Sequence, residues 1–365
     1  MKVFYNGRRR ACRTVTFDRA RNEVVLIDQK LLPHRFRFVR ARTYSKTAAA
    51  IVDMTVRGAG AIGATAAYGL AQGARAFRGG SIESFESHVG KVQATLAAAR
   101  PTAIDPINAM SLIRTAMAAG RTIAQRQKLA VQAAEQFADE DVAHCQAIGH
   151  HGQHLIPEGA RVLTHCNAGW LAFVDVGSAT APLYAAQAAG RRFHVYCDET
   201  RPRAQGAALT AWELAQQGVP HQVIADNAAG HLMQRGEIDL VITGADRVLG
   251  RTGEVANKIG TYTKAVLAAR HGIPFYTAIP LSTLDWTLRR GTDIPIEERA
   301  ASEVLGAQGA DERGRLLRVQ TANPSSDARN PAFDVTPPSL ITALITPAGL
   351  FKPKTLQRHR RKLGG

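Results

Sequence analysis

The spacing of apolar residues divides this chain into an irregular first part and a regular second part. In the first part, the runs TVTFD (14–18) and EVVLID (23–28) flank a turn-like segment, which predicts two β-strands. Alanine-rich stretches follow, and the helical spacing of their apolar residues predicts helices over 59–76, 90–99 and the long run 107–149. We therefore predict a small β-sheet plus a helical bundle before about residue 155.

From residue 156 onward, short apolar runs alternate with helical segments. The runs predict five strands, at 161–166, 193–199, 221–226, 239–246 and 274–280. Helical spacing falls between or after them, at 178–189, 204–217, 227–235 and 258–271. This alternation predicts an α/β domain over 156–365, with a parallel sheet and helices on both faces, and leaves 1–155 as the first domain. Residues 306–333 are expected to form a long loop with one short strand, RLLRV.

Composition agrees with two globular domains. The 365 residues are 45% apolar and 21% charged, which excludes a disordered, collagen-like or disulfide-scaffold chain. The cysteines are irregularly spaced and form no C-x-x-C pair, which predicts free thiols at Cys12, Cys145, Cys166 and Cys197. No apolar signal core follows Met1 and no apolar run reaches about 18 residues, so we expect a cytoplasmic protein with no membrane partner.

The net charge of +16 is concentrated at the two ends of the chain. Residues 1–42 contain twelve Lys and Arg against three Asp and Glu, and residues 352–365 contain six basic residues and no acidic one. The body between them is nearly neutral, whereas a nucleic-acid-binding fold carries its charge on the face that grips phosphate. We therefore favour solvated ends and no nucleic-acid partner over weak contact with RNA or a membrane surface.

Polar and nucleophilic residues follow several of the predicted strands. Cys166 ends the first strand, Asp198 the second, Asp226 the third and Asp246 the fourth. Ligands of an open parallel sheet bind outside the carboxyl ends of its strands, so a thiol and several carboxylates are expected on one rim. Asp226 precedes Asn227 and is expected to cap the next helix.

Cys166 and Asp246 have the settings best suited to chemistry. Cys166 lies between a strand and a turn of small residues, where backbone amides lower the pKa of a thiol and an apolar setting raises it. An inert buried cysteine is the structural alternative. Asp246 follows the apolar run LVIT and either contacts a ligand or serves as a helix cap or an ion-pair partner of Arg247.

Two glycine-containing segments favour phosphate binding. Residues 57–63, R-G-A-G-A-I-G, match G-x-G-x-x-G by letter, but the segment before them is helical rather than a strand, which argues against a nicotinamide site. A glycine turn that opens a helix fits better, with free N–H groups on a phosphate and Arg57 adding charge. Asn257 and Lys258, in G-E-V-A-N-K-I-G-T, are expected at the start of another helix, and Arg100 is a third candidate contact.

A histidine cluster provides a weak metal signal. His144, His150, His151 and His154 lie close together in the sequence. Only Cys145 accompanies them as a further zinc ligand, so we predict packing or surface roles and no metal.

Taken in order along the chain, these motifs resemble the methylthioribose-1-phosphate isomerases. The matching segments are R-G-A-G-A-I-G (57–63), R-P-T-A (100–103), T-H-C-N-A-G (164–169), E-T-R-P-R-A-Q-G-A-A-L-T-A-W-E-L (199–214), G-A-D-R-V (244–248), G-E-V-A-N-K-I-G-T (253–261) and N-P-A-F-D-V-T-P (330–337). The wider superfamily includes ribose-1,5-bisphosphate isomerases and regulatory subunits of a translation-initiation exchange factor. Those subunits generally lack the catalytic pair, so the presence of Cys166 and Asp246 favours an enzyme.

The resemblance implies an aldose–ketose isomerase of methionine salvage. Its substrate would be the sugar phosphate 5-methylthio-ribose 1-phosphate and its product 5-methylthio-ribulose 1-phosphate. The resemblance implies a catalytic thiol at Cys166, a proton donor at Asp246, and substrate contacts at Arg57, Gly58, Ala59, Arg100, Gln205, Asn257 and Lys258. It also implies a Rossmann-like C-terminal domain, a homodimer, and no metal or nucleotide cofactor.

Departures from the family pattern bear on the group at C5 of the sugar. Trp170, Phe173 and Val174 stand where many relatives have smaller residues, and Asp105-Pro106 stands where Asn-Leu is common. Trp170 and Phe173 favour an apolar pocket for a methylthio group over basic side chains for a second phosphate. The alternatives are 5-deoxyribose 1-phosphate, ribose 1,5-bisphosphate, or a regulatory subunit without catalysis.

The substrate also constrains the mechanism, because a phosphate on the anomeric carbon prevents spontaneous ring opening. We expect Asp246, kept protonated by apolar surroundings, to donate to the ring oxygen. Cys166 then either relays the C2 proton to C1 through an enediol, or assists a 1,2-hydride shift in which the two side chains handle only oxygen-bound protons.

Overall fold

The computed structural model describes residues 1–100 and 104–365. Residues 101–103, which include Pro101 of the R-P-T-A motif, lie outside the described residues. The α-helices are α1 (Tyr44–Val52), α2 (Ala59–Ala76), α3 (Ile82–Ala98), α4 (Asp105–Ala118), α5 (Ile123–Gly152), α6 (Ala181–Ala188), α7 (Ala211–Gln217), α8 (Ala228–Gln234), α9 (Thr261–Arg270) and α10 (Ala301–Leu305).

The strands form one large sheet and several small ones. Those in the first part are β1 (Lys2–Tyr5), β2 (Arg8–Ala11), β3 (Val15–Asp18), β4 (Glu23–Ile27) and β5 (Phe38–Ala41). Those in the second part are β6 (Arg161–Thr164), β7 (His194–Asp198), β8 (His221–Ile224), β9 (Leu240–Thr243), β10 (Arg247–Leu249), β11 (Val255–Lys258), β12 (Phe275–Ala278), β13 (Leu284–Asp285), β14 (Gly306–Ala310), β15 (Leu316–Gln320), β16 (Phe333–Thr336), β17 (Ala343–Thr346) and β18 (Gly349–Phe351).

Helix α2 lies at the centre of the helical bundle. Its first fifteen residues after Ala59 are buried, and they are mostly alanine and glycine. Small side chains let α1, α3, α4 and α5 approach closely: a Cβ atom on Gly69 would lie 2.9 Å from Leu96, and one on Gly73 would lie 2.5 Å from Val92. The predicted helix 59–76 and the predicted bundle with a small sheet, β3-β4-β5, are therefore confirmed.

The large sheet has seven strands in the order β18-β17-β12-β9-β6-β7-β8. All neighbouring pairs are parallel except β17 and β18, so the predicted α/β parallel-sheet class is confirmed. The chain order reverses at β6, which pairs with β7 on one side and β9 on the other. The segments that follow β6 and β9 consequently meet at the carboxyl edge, at the topological switch point.

A second sheet, β13-β10-β11-β16, corrects one prediction. Asn257 and Lys258 were expected to open a helix over 258–271, but they end strand β11 and the helix begins only at Thr261. The four residues of β11 are all buried between β10 and β16, so tertiary pairing decides the conformation of a run too short to show a period.

Other departures have similar causes. The predicted run 107–149 is divided, because α4 ends at Ala118 and a capping box of Thr122 and Gln125 starts α5. The expected loop 306–333 contains the hairpin β14–β15 rather than one strand. The basic C-terminal segment is not simply solvated, since Leu356 and Leu363 are buried in the core.

Helix α5 contacts both parts of the molecule, packing against α2 and α4 and also against α6 and β17. The domain boundary at residue 155 stays a prediction. Within residues 1–100 and 104–365, every helix is too short or too polar to cross a bilayer.

We expect the core of α2 to dominate stability. Leu70 is fully buried, and Leu70→Ala should lower the free energy of unfolding by about 2–5 kcal/mol, because it removes buried methyl groups and leaves a cavity. Leu112→Ala on neighbouring α4, where the leucine is 55% exposed, should cost less than about 0.5 kcal/mol. Urea unfolding followed by circular dichroism measures both, and equal losses would contradict this assignment of the core.

Candidate active site

The loop after β6 holds Cys166 in an unusual backbone conformation. Its φ is +64°, a left-handed value that a non-glycine residue adopts only when its surroundings enforce it. Thr200 accepts a hydrogen bond from the Cys166 amide (2.8 Å), and Thr210 donates one to the Cys166 carbonyl (2.7 Å). The thiol is thus fixed at the carboxyl edge of the sheet by two hydroxyl groups from separate segments.

Asn167 connects this loop to the helical bundle. The guanidinium of Arg57 donates to the side-chain oxygen of Asn167 (2.7 Å) and to its carbonyl (3.0 Å). The Asn167 amide in turn donates to Glu213, which also accepts from the backbone of Trp170 and Leu171. Burial raises the pKa of Glu213 to about 7 even though these donors favour its charged form.

All nine predicted site residues line one cavity of about 610 Å³ that opens to solvent, and we call it the central cavity. They are Arg57, Gly58, Ala59, Arg100, Gln205, Cys166, Asp246, Asn257 and Lys258. They come from distant parts of the chain: the start of α2, the region before α4, the ends of β6 and β9, the segment after β7, and the end of β11. Their individual roles stay predictions, but the structure brings all of them together.

The start of α2 faces this cavity without a side-chain cap. Gly58 has φ +89° and precedes the helix, and a Cβ atom there would overlap Ala172. Glycine is required because the backbone must turn left-handed while touching the neighbouring loop. The free N–H groups of the first turn and Arg57 together make an anion-binding corner.

Two buried polar atoms in the cavity lack hydrogen-bond partners among the residues that the structure describes. These are Oε1 of Gln205 and Nε of Arg100. Buried polar groups are normally paired, so an orphaned atom that lines a cavity points to a ligand. Arg100 also makes a long contact to Glu297, 3.7 Å between Nη2 and Oε2.

Electrostatics favour the protonated form of the Cys166 thiol. Burial raises the pKa of its thiol above the ordinary value, and the charge of Asp246 adds to this. Arg57 and Lys258 act in the opposite direction without overcoming burial. The sequence left the direction open, and the structure shows that desolvation prevails over the cations and the neighbouring amide.

Desolvation also disfavours the charged forms of Lys258 and Arg100 in the cavity. Burial lowers the pKa of Lys258, whose ammonium lies 4.5 Å from the centre of the Phe333 ring, and it lowers the pKa of Arg100. Asp246 is half-buried and interacts electrostatically with both of them. The surroundings of Asp246, expected to be apolar, also contain cations, because the carboxyl group lines the same cavity as Arg100 and Lys258.

A buried ionic network supports the loop from behind. His165 contacts Asp198 through Nδ1 (2.9 Å) and the Ile259 carbonyl through Nε2 (2.9 Å), and Lys264 also contacts Asp198 (3.2 Å). Asp226 accepts hydrogen bonds from the amides of Thr200 and Arg201, so it holds the loop after β7 rather than capping α8 as expected.

His165, Asp198 and Asp226 lie close enough together to be considered as metal ligands. Hydrogen bonds already occupy both ring nitrogens of His165 and both carboxylate oxygens of Asp226. The donor set is therefore a hydrogen-bonded support for Thr200 and Cys166, and it offers little to an ion.

Sequence reasoning missed several lining residues: Met54, His165, Asn167, Arg299 and Phe333. Asn167 and Phe333 belong to recognised motifs, which was the available signal. Arg299 lies in a segment without a recognisable period and reaches the cavity only because Glu303 and Glu297 hold it there. Trp170 was expected near the substrate, but it is fully buried and packs against Trp212, whereas Phe173 does line the cavity.

Comparison with known proteins identifies the family of this chain. The model of the Initiation factor 2 subunit family matches residues 55–353. The chain is 49% identical over 349 residues to a methylthioribose-1-phosphate isomerase of Methylorubrum populi, covering 93% of each chain. Among solved structures it is similar to a 5-methylthioribose 1-phosphate isomerase from Pyrococcus horikoshii, with 40% identity, a TM-score of 0.86, and 97% and 96% of the two chains covered.

A similar structure also carries a different name. The translation initiation factor eIF-2B subunit delta from A. fulgidus is 37% identical, with a TM-score of 0.82 and coverage of 97% of this chain and 100% of that one. The fold alone therefore does not separate catalysis from regulation, and the residues of the cavity must do so.

Thiol reactivity tests the electrostatics of the site. Iodoacetamide should label Cys166 slowly at pH 8 and faster above pH 9, because only the thiolate reacts. Asp246→Asn should accelerate labelling of Cys166 about threefold, because it removes a negative charge that raises the pKa of the thiol. Mass spectrometry of the Cys166 peptide measures the rates.

Asp239→Asn provides the matched control. Asp239 lies at the opposite end of β9 and pairs with Arg161 on the surface (2.7 Å), so its removal should leave the labelling rate unchanged. Slower labelling in Asp246→Asn, or equal acceleration in both variants, would contradict the proximity of Asp246 to the thiol.

Proposed function

The chain belongs to the Initiation factor 2 subunit family and, within it, to the methylthioribose-1-phosphate isomerases, and we propose that it converts 5-methylthio-ribose 1-phosphate to 5-methylthio-ribulose 1-phosphate in methionine salvage. The observation that carries this proposal is the shared cavity of Cys166 and Asp246, with a cationic corner beside them. A thiol, a carboxyl group and an anion site are what the isomerisation of a sugar 1-phosphate requires.

The phosphate binds at the cationic corner. The N-terminal turn of α2 supplies N–H groups, and Arg57 and Lys258 supply charge. Gln205, Asn257 and Arg100 complete the substrate contacts; Asn257 is oriented by its bond to Thr261 (2.9 Å). Because burial lowers the pKa of Lys258 and Arg100, a phosphate dianion offsets the desolvation cost of their charged forms.

Asp246 opens the sugar ring. Its carboxyl proton passes to the ring oxygen, the bond between that oxygen and C1 breaks, and C1 is left as an oxocarbenium ion stabilised by the ester oxygen of the phosphate. A bound phosphate neutralises part of the positive charge near Asp246. The aldehyde equivalent needed for isomerisation thus forms without loss of the phosphate.

The hydrogen then moves from C2 to C1 as a hydride. This step converts C1 to a CH2 group, and the hydroxyl proton on C2 returns to the Asp246 carboxylate as the ketone forms, so protons and electrons balance. The raised pKa of Cys166 favours this route, because a neutral thiol is a poor base for a carbon-bound proton. Its polarizable sulfur instead stabilises the positive charge at C1 and keeps water out.

The setting of the activity follows from its chemistry. A metabolite phosphate as substrate and free cysteines are consistent with a reducing cytoplasm. A homodimer, as the family resemblance implies, stays a prediction, as does the lack of a nucleic-acid partner.

Replacement of either reacting side chain should abolish most turnover. Cys166→Ser and Asp246→Asn are each expected to lower kcat by at least about 100-fold, because they remove a polarizable sulfur and a proton donor. Circular dichroism should show an unchanged fold. Cys12→Ser is the control, since Cys12 lies outside the cavity and is partly exposed.

This assay also separates the two functional classes. A regulatory subunit would turn over no sugar phosphate in either the native protein or the variants. Full activity in Cys166→Ser would exclude the assigned role of the thiol, while loss in Cys12→Ser as well would indicate that the effect is structural.

Isotopic labelling distinguishes the two proton routes. Substrate deuterated at C2 should retain nearly all of its label at C1 of the product in ordinary water, because a hydride shift transfers it directly. In D2O, unlabelled substrate should gain no deuterium at C1, as NMR spectroscopy of the product will show. Solvent deuterium at C1 would instead establish an enediol with Cys166 as base.

A further inference from the structure

A second cavity adjoins the central one, and we call it the side cavity. The two share Gly58, Ala59, Arg100, Asp246 and Phe333 in their linings, so they meet at the reacting carboxyl group. Most of the remaining lining of the side cavity is apolar, from Ile62, Ala256, Ile294 and Pro295. Cys166, Arg57 and Lys258 line the central cavity and are absent from the lining of the side cavity.

Asp105 is the unexpected polar residue of the side cavity. It is the first residue of α4, only 1% exposed, and its Oδ1 has no hydrogen-bond partner among the residues that the structure describes. The other oxygen is bonded by Ser282. Nothing in the ring-opening chemistry uses this carboxyl group, yet a buried unpaired oxygen in a cavity wall points to a ligand.

The charges around Asp105 leave it able to change protonation near neutral pH. Burial raises its pKa to about 7, and Asp246 adds to the rise, whereas Ser282 and Arg247 lower it. Asp141, the other buried acid nearby, interacts with it as well. Of the two arginines that line the side cavity, Arg247 is ion-paired with Asp285 (3.1 Å), whereas Arg100 makes a longer contact with Glu297 (3.7 Å) and is assigned to the substrate.

The connectivity of the sugar assigns an occupant to this space. The ring oxygen that receives the proton of Asp246 is bonded to C4, and C4 carries C5. With the phosphate and C1 directed to Arg57, Lys258 and Cys166, the C4 side of the ring lies across Asp246 from the thiol. The group on C5 is therefore directed into the side cavity.

We propose that Asp105 is a specificity-determining residue that contacts the group on C5, selecting a neutral substituent with a hydrogen-bonding atom and excluding a second phosphate. The proposal rests on the proposed isomerase function. A hydroxyl on C5 can donate to the Asp105 carboxylate, and a thioether sulfur can accept the proton of the neutral carboxyl group, so either fits an apolar pocket with one polar partner. A second phosphate would meet the Asp105 carboxyl group, and the neighbouring Arg247 is already ion-paired with Asp285.

Two substitutions separate the hydrogen bond from the charge. Asp105→Asn keeps polar atoms and removes the charge, so kcat/KM for ribose 1,5-bisphosphate relative to 5-methylthio-ribose 1-phosphate should rise about tenfold at pH 8. Asp105→Ala removes both, so ribose 1-phosphate relative to 5-deoxyribose 1-phosphate should fall about fivefold, because its hydroxyl loses a partner. The native protein should discriminate less against the bisphosphate at pH 6, where Asp105 is neutral, than at pH 8. Titration of the substrate phosphates also contributes to this pH dependence. Asp105→Asn should retain the contribution of the substrate and lose that of Asp105.

Asp141→Asn is the matched control. Asp141 is equally buried, its pKa is also raised by burial to about 7, and it bonds the Val174 amide (2.7 Å) without lining the side cavity. Its replacement should leave the substrate ratios unchanged at pH 8, where Asp105 is ionised whether or not Asp141 carries a charge. Native-like ratios in both Asp105 variants would overturn this inference alone, whereas a native protein that converts none of the four sugar phosphates would overturn the proposed function and this inference together.

Discussion

The close approach of the α2 start to the loop after β6 is the constraint on which the site depends. Gly58 permits the contact with Ala172, and the fork of Arg57 fixes the position of Asn167 beside the thiol. One element belongs to the helical bundle and the other to the parallel sheet. The cavity forms where the two parts pack together, so this packing fixes the position of the anion-binding corner relative to Cys166 and Asp246.

Much of this could be predicted from sequence because the signals are local. The helix 59–76 has a long apolar period. The strand order reverses at β6, which pairs in parallel with β9, and the pattern identifies both strands, so Cys166 and Asp246 fall on one edge. The resemblance then places Arg57, Gln205 and Lys258, and each of them lines the cavity. The strand order and the burial of the motif residues together explain why they line one cavity.

The missed features depend on contacts between residues far apart in the chain. β11 has four residues, too few for a period, and it becomes a strand only through pairing with β10 and β16. Arg299 reaches the cavity because two glutamates hold it, and Trp170 turns into the core because Trp212 packs on it. The protonation of Cys166 likewise required the actual burial, since the sequence showed influences of both signs.

The charge balance of the cavity explains why binding must precede chemistry. Arg57, Arg100, Lys258 and Arg299 line it, against Asp246 as the carboxylate of the lining. Desolvation lowers the pKa of both Lys258 and Arg100, so the charged forms of these side chains carry a cost in free energy. A phosphate dianion relieves that cost and reduces the positive field at Asp246. The phosphate is present in both the substrate and the product, so it offsets the cost of the buried cations throughout the reaction. During the reaction itself, only the proton of Asp246 and the hydrogen on C2 move.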